Sequence, residues 1–176
     1  MDTLKMERLT EPGALNTDCS DTVANGTQPA ARHTYDSLVY VPPPVDRLYS
    51  IQAGGACSAG TFPPLSTWSY GFAEKSWKKH ILTGQPPPES SYILAADYDP
   101  ATGLIFLHDQ YYLYSYNLQT NVVKKLSNGP LVVRQYYTAL IDPVRHFFYL
   151  AEETTLLRYS IAPGSDYKQT VLVNFS

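Results

Sequence analysis

Two separate stretches of this 176-residue chain recur in a single register. Ser69-Tyr70-Gly71-Phe72 is answered 46 residues later by Ser115-Tyr116-Asn117-Leu118, and Trp77-Lys78-Lys79 is answered at the same spacing by Val123-Lys124-Lys125. A third copy follows, in which Tyr159-Ser160-Ile161 lies 43 residues after Tyr116-Asn117-Leu118 and Asp142-Pro143 lies 43 residues after Asp99-Pro100. Runs that keep a common offset mark a repeated unit. With a period of about 40–50 residues, each unit is one supersecondary element that buries its faces against its neighbours.

The texture inside each unit is that of strands. After Arg32 the chain becomes a series of short apolar or aromatic runs, among them HTYDSLVY, TWSYGF, LIFL, YLYSYNL and HFFYLA, separated by turn-forming residues. Each copy reads as four strands: an inner one before a proline (Pro42, Pro100, Pro143), one after the turn, one with aromatic alternation, and a short outer one. The stretch GFAEKSWKKHIL has some helical character, but its counterpart NLQTNVVKKL carries β-branched residues and a turn-like Gln-Thr-Asn, so both are read as strand and turn. This reading gives an all-β chain of about three four-stranded propeller blades, at residues 31–84, 89–129 and 131–175. Residues 1–30 lack apolar periodicity and are read as an irregular tail or the remnant of a preceding blade.

Composition agrees with a pleated architecture: charged residues are only 16%, aromatics reach 13%, and tyrosine occurs fifteen times. A formal charge of −3 supplies no basic field for a phosphate backbone, which argues against nucleic-acid partners. No apolar run approaches the roughly 20 residues of a membrane-spanning helix, and the first thirty residues lack a signal peptide's apolar centre, so a soluble chain without membrane partners is expected. Cys19 and Cys57 form no CxxC pair and fit either a reducing compartment or one bridge. Asn25-Gly26-Thr27 and Asn174-Phe175-Ser176 match the short glycosylation acceptor pattern, which arises often by chance.

One family resembles the first unit. Ile51-Gln52-Ala53-Gly54-Gly55 ends an apolar strand in a diglycine, and Thr67-Trp68-Ser69-Tyr70 with Trp77 supplies spaced aromatics, a pattern similar to the kelch repeat. Pro29-Ala30-Ala31-Arg32-His33-Thr34-Tyr35 is similar to the opening of kelch blades in galactose-oxidase-like propellers. The later units lack the diglycine and carry His108-Asp109 and Glu152-Glu153 near the corresponding places. Paired glycines permit positive φ or close backbone approach, and the aromatics Trp68, Tyr70, Trp77, Tyr114 and Tyr116 are expected to fill the wedge between neighbouring sheets.

Chemistry-bearing motifs are sparse. There is no GxxxxGK[ST], GxGxxG or HExxH. Ala56-Cys57-Ser58-Ala59-Gly60 imitates a nucleophile elbow but lacks its first glycine and following helix. Asp97 and Asp99 share one strand face and could meet a cation, though an Asp-Pro turn accounts for them as well as for Asp142-Pro143. Galactose oxidase binds copper through Tyr and His beside a Tyr–Cys cross-link; no local match carries that set over, and His33, His80, His108 and His146 are read as strand-end or surface residues. No cofactor is expected.

His33, Ser91 and Arg134 each stand nine residues before a blade's proline, near the start of an inner strand. The kelch resemblance implies a polar binding rim there, so these three are the candidate binding residues. A strand-end hydrogen bond is the plainer role for each. The implied function is a non-catalytic module that binds a protein or carbohydrate; the alternative is part of a galactose-oxidase-like or lyase-like carbohydrate-active enzyme whose catalytic residues lie largely outside this chain. Closed propellers have four to eight blades, so three imply either a fragment of a longer propeller or a chain that closes by self-association.

Overall fold

The turns set the architecture. In a computed structural model, which describes residues 6–14, 20–52, 54–55, 66–88, 94–127 and 137–174, each repeat folds as one antiparallel meander. The strands in chain order are β1 (Arg32–His33), β2 (Leu38–Val41), β3 (Arg47–Ser50), β4 (Gly54–Gly55), β5 (Thr67–Gly71), β6 (Ser76–His80), β7 (Thr83–Gly84), β8 (Ala95–Asp99), β9 (Leu104–His108), β10 (Leu113–Asn117), β11 (Val122–Lys125), β12 (Thr138–Asp142), β13 (Phe147–Ala151), β14 (Thr155–Ser160) and β15 (Gln169–Asn174). The first sheet has the order β2-β3-β5-β6, the second β7-β11-β10-β9-β8 and the third β12-β13-β14-β15. No helix occurs among the described residues, and the stretch GFAEKSWKKHIL runs through a turn into β6.

The prolines and their neighbours place the first turn of each meander. Asp46, Gly103 and His146, each immediately before a second strand, all adopt positive φ, at 48°, 71° and 55°. Lys75 and Asn121, 46 residues apart and before the last strands, do the same at 50° and 57°. Carboxylate and amide side chains brace these corners: Asp99 Oδ1 accepts from the Ala101 amide, Asp142 Oδ1 from Val144 and Arg145, and Asn117 Oδ1 from Gln119 and Thr120. These are Asx turns, and they account for Asp99 and Asp142 without a cation.

Period-2 alternation then builds two apolar layers. Val39, Val41, Tyr49 and Ile51 of the first repeat pack on Ala96, Ile105, Leu107, Tyr114, Tyr116 and Val123 of the second. The opposite face of the second sheet, with Ala95, Phe106 and Leu113, packs on Ile141, Phe148, Leu150, Leu157 and Tyr159 of the third. Tyr114 and Tyr116 are buried between sheets as expected, whereas Trp68 and Tyr70 are buried with the N-terminal segment, donating to Asp21 and to the Leu9 carbonyl; Trp77 stands edge-on to Tyr70 with centroids 5.4 Å apart.

The first strands of the three sheets neighbour one another. Asp36 bridges Ala95 in parallel, and its carbonyl accepts from the Ala96 amide at 2.9 Å. Two carboxylates cap amides of β12: Asp36 Oδ2 takes Ala139 N at 2.6 Å and Thr138 Oγ1 at 2.9 Å, and Asp97 Oδ2 takes Ile141 N at 2.7 Å. Stacked meanders with adjacent first strands are compatible with a propeller-like arrangement. The described sheets do not close into a barrel.

Two details depart from the sequence reading. The diglycine does not end the apolar strand: β3 stops at Ser50, Gln52 turns the chain at φ 36°, and Gly54–Gly55 pairs separately with Arg32–His33. The connector after the first repeat adds a fifth strand to the second sheet, β7 lying parallel to β11. Gly84 permits this, because at φ 85° a Cβ there would stand 2.4 Å from the Val123 carbonyl oxygen.

Residues 6–14 and 20–30 contain no named strand; an isolated bridge joins Thr22 to Pro29, and Val23 is buried. No helix among the described residues is long and apolar enough to cross a membrane.

Candidate functional site

The N-terminal segment meets the first sheet through one carboxylate. Asp21 Oδ1 receives Arg32 at 2.9 Å, and Oδ2 receives Lys79 Nζ at 3.0 Å, Trp68 Nε1 at 3.1 Å and the Ser66 hydroxyl. Arg32 completes its fork on the Ser66 and Asp21 carbonyls at 2.9 and 3.0 Å. The Arg32–Asp21 pair is almost fully shielded, so only this density of donors makes the burial tolerable. Burial pushes the Asp21 carboxyl up, but the Ser66 and Lys79 hydrogen bonds and the Arg32 charge outweigh it and hold it below the usual carboxylate range.

Beside this cluster opens a cleft of about 460 Å³. Its polar side carries Asp21, Gln52, Lys79 and His80; Ile81, Leu82, Pro86 and Pro87 form an apolar wall. Gln52 is only 6% exposed, and its Oε1 has no hydrogen-bond partner. A buried carbonyl left unpaired costs about 1–3 kcal/mol and takes a donor where one can reach it. The opposite wall offers contact area, Ile81 being 77% exposed.

His80 belongs to a second network. Ser69 Oγ lies 2.8 Å from His80 Nε2, and His80 Nδ1 lies 3.2 Å from Asn121 Oδ1, so the Nδ1–H donates to the amide oxygen and Nε2 accepts from the serine. Tyr116 donates to the same Asn121 oxygen at 2.9 Å. A Ser–His–Asn relay has the form of an activated nucleophile. Here the serine is 0% exposed and Arg47 also donates to it at 3.3 Å, so no substrate carbonyl reaches it. The relay instead ties the first sheet to the β10–β11 turn of the second. Burial, with the nearby charges of Lys78 and Arg47, holds the imidazole below its usual range despite the Asn121 bond.

The histidines read as strand-end or surface residues divide. His80 and His108 do end strands, but both are buried, because inter-sheet packing closes over the strand ends. Among the described residues no group of three His, Cys, Asp or Glu could hold a metal ion.

Of the three rim candidates, His33 lies in β1 with its backbone paired to Gly54. Ser91 and Arg134 lie outside the described residues, as do Cys19, Cys57 and the elbow-like Ala56–Gly60. The Asp21 cluster and the Ser69–His80–Asn121 relay have no signature in the sequence beyond the residue types, since their members come from four separate segments.

No family model matches this chain, and no curated protein matches it.

Proposed function

We propose that the chain is a kelch-type propeller segment working as a non-catalytic binding module, and that the cleft beside Asp21 takes an extended peptide segment of a protein partner. The observation that carries the reading is a cleft with Asp21, Lys79 and His80 on one side and an apolar wall that includes the exposed Ile81 on the other. A peptide backbone meets the polar side, and a neighbouring apolar side chain lies against Ile81, Leu82 and the two prolines. The kelch assignment is supported by the repeat, by the diglycine paired behind Arg32-His33, and by the buried Trp68. His33, Ser91 and Arg134, which share one position in the sequence repeat, are proposed as rim contacts for a protein or a carbohydrate partner.

Peptide and glycan arrays probed with the full chain test this, followed by titrations reading tryptophan fluorescence, since Trp68 donates to the carboxylate that lines the cleft. Peptide binding weakened at least tenfold by Ile81→Asp supports the proposal. Glycan binding alone, or peptide binding that ignores Ile81→Asp, overturns the cleft assignment.

A further inference from the structure

The last strands of the first two meanders are equivalent but are covered differently. Trp77 pairs with Tyr70 and Val123 with Tyr116, 46 positions apart, so β6 and β11 hold one register in their sheets. Against β11 lies β7, a parallel strand, and the flanking Thr83 and Gln85 amides donate to the Asn121 and Val123 carbonyls at 2.9 and 2.8 Å. Among the described residues β6 is the edge of its sheet. The difference lies in what precedes each repeat. The connector after β6 crosses to β11, whereas the segment before the first repeat is latched by Asp21 to Trp68 and Lys79 and adds no strand to β6.

The pairing made at β11 defines what the β6 edge accepts. Lys75 and Trp77 correspond to Asn121 and Val123, so their carbonyls are the acceptors for two amides, two residues apart, of an incoming parallel strand. Between those amides the strand needs glycine, since Gly84 faces Val123 at φ 85° and a Cβ there would stand 2.4 Å from the Val123 oxygen. The next residue, the counterpart of Gln85, falls beside Lys78. Lys79 is committed to Asp21 and Glu74 to Arg47, but Lys78 is exposed and has no ion pair among the described residues. Edge lysines repel a strand of like charge, which sets β6 against pairing with β6 of a second copy, and they admit an acidic strand.

We propose that β6 takes an extended, parallel segment of a partner protein in which glycine is followed by an acidic residue, the glycine opposite Trp77 and the carboxylate on Lys78. This contact goes beyond the cleft described above, because it uses residues 75–78 and not the cleft wall formed by Ile81, Leu82, Pro86 and Pro87.

The probe is a labelled synthetic peptide of residues 81–86 carrying Gln85→Glu, titrated against the full chain by fluorescence anisotropy, with hydrogen exchange locating the contact. The tethered β7 keeps the peptide off β11 by its high effective concentration. The expected result is saturable binding with slowed exchange in β6. Lys78→Glu is expected to weaken it at least tenfold with unchanged circular dichroism, and the same peptide carrying Gln85→Lys is expected to restore it. Lys124→Glu, at the equivalent place in β11, leaves the affinity as it was. N-methylation of the peptide at the Thr83 and Gln85 amides abolishes binding. Absent binding, indifference to Lys78→Glu or to N-methylation, or weakening by Lys78→Glu without rescue overturns the proposal. Loss of binding with Ile81→Asp places the peptide in the cleft and likewise overturns it, so the two contacts fail separately.

Discussion

The Tyr159 hydroxyl, carried on the third sheet, lies 3.0 Å from Nε2 of His108 in the second. The imidazole is fully buried. An added proton would create a charge shielded from water, and burial draws the His108 pKa down to about 3 despite a backbone hydrogen bond at Asp109.

That depression fixes a direction for acid stability. The unfolded chain binds a proton at His108 near pH 6.5 and the folded chain does not, so stability is full above pH 6.5 and falls with acidification until about pH 3. The slope contributed is about 1.4 kcal/mol per pH unit for one such histidine, and His80 acts in the same direction. Urea unfolding at pH 7, 6 and 5 measures it. His108→Gln, which keeps an acceptor for Tyr159, flattens the dependence; an unchanged slope would show that His108 is not buried as described.

Asp36 gives the opposite sign. Burial, with the neighbouring Asp97 charge, raises its carboxyl despite the Ala139 and Thr138 bonds, so this group adds stability as pH falls through its raised pKa towards 3.8. Asp36→Asn keeps an acceptor for Ala139 and loses the charge, so at pH 7 it stays within about 1 kcal/mol of wild type or exceeds it. Asp36→Ala leaves the Ala139 amide unpaired and costs about 1–3 kcal/mol. The difference between wild type and Asp36→Asn, followed with pH, cancels the histidines and isolates the Asp36 carboxyl.

Gly84→Ala drives a Cβ towards the Val123 carbonyl at a φ that disfavours side chains. We expect a loss of about 1–3 kcal/mol, concentrated in β7. Hydrogen exchange reads it directly, since the Thr83 and Gln85 amides donate to Asn121 and Val123. If those two amides stay protected, the steric account fails.

Lys75 is an exposed residue held at φ 50°, where its counterpart 46 positions on is asparagine. Lys75→Asn transfers the residue better suited to the left-handed region, with an expected gain of about 0.5–1 kcal/mol in chemical unfolding. A loss would indicate that Lys75 makes contacts worth more than its backbone strain.

The parts of the fold visible in the sequence are those with local causes. Proline turns and the Tyr70, Tyr116 and Tyr159 series repeat at fixed spacing because neighbouring sheets pose the same packing problem to each meander. The Asp21 latch was illegible: its donors Arg32, Ser66, Trp68 and Lys79 come from β1 and from the β5–β6 hairpin with its approach, and nothing periodic marks the segment that supplies the acceptor. The same holds for β7, two residues long and without alternation. The cleft depends on that latch, so reasoning from blade symmetry directed attention to His33, Ser91 and Arg134 and missed Gln52.

The carboxylate bonds to β12 bear on how the chain acquires its shape over time. Each meander joins strands close in sequence and can form as soon as its residues are available. The Asp36 bond to Ala139 spans 103 residues and the Asp97 bond to Ile141 spans 44, so both wait on large loop closures. During synthesis, Asp36 and Asp97 remain without those amides until the third repeat emerges. The first two repeats are expected to assemble before that, with docking of the third meander as the last step. Pulsed exchange during refolding should show the Ala139 and Ile141 amides gaining protection after those of β9 and β10.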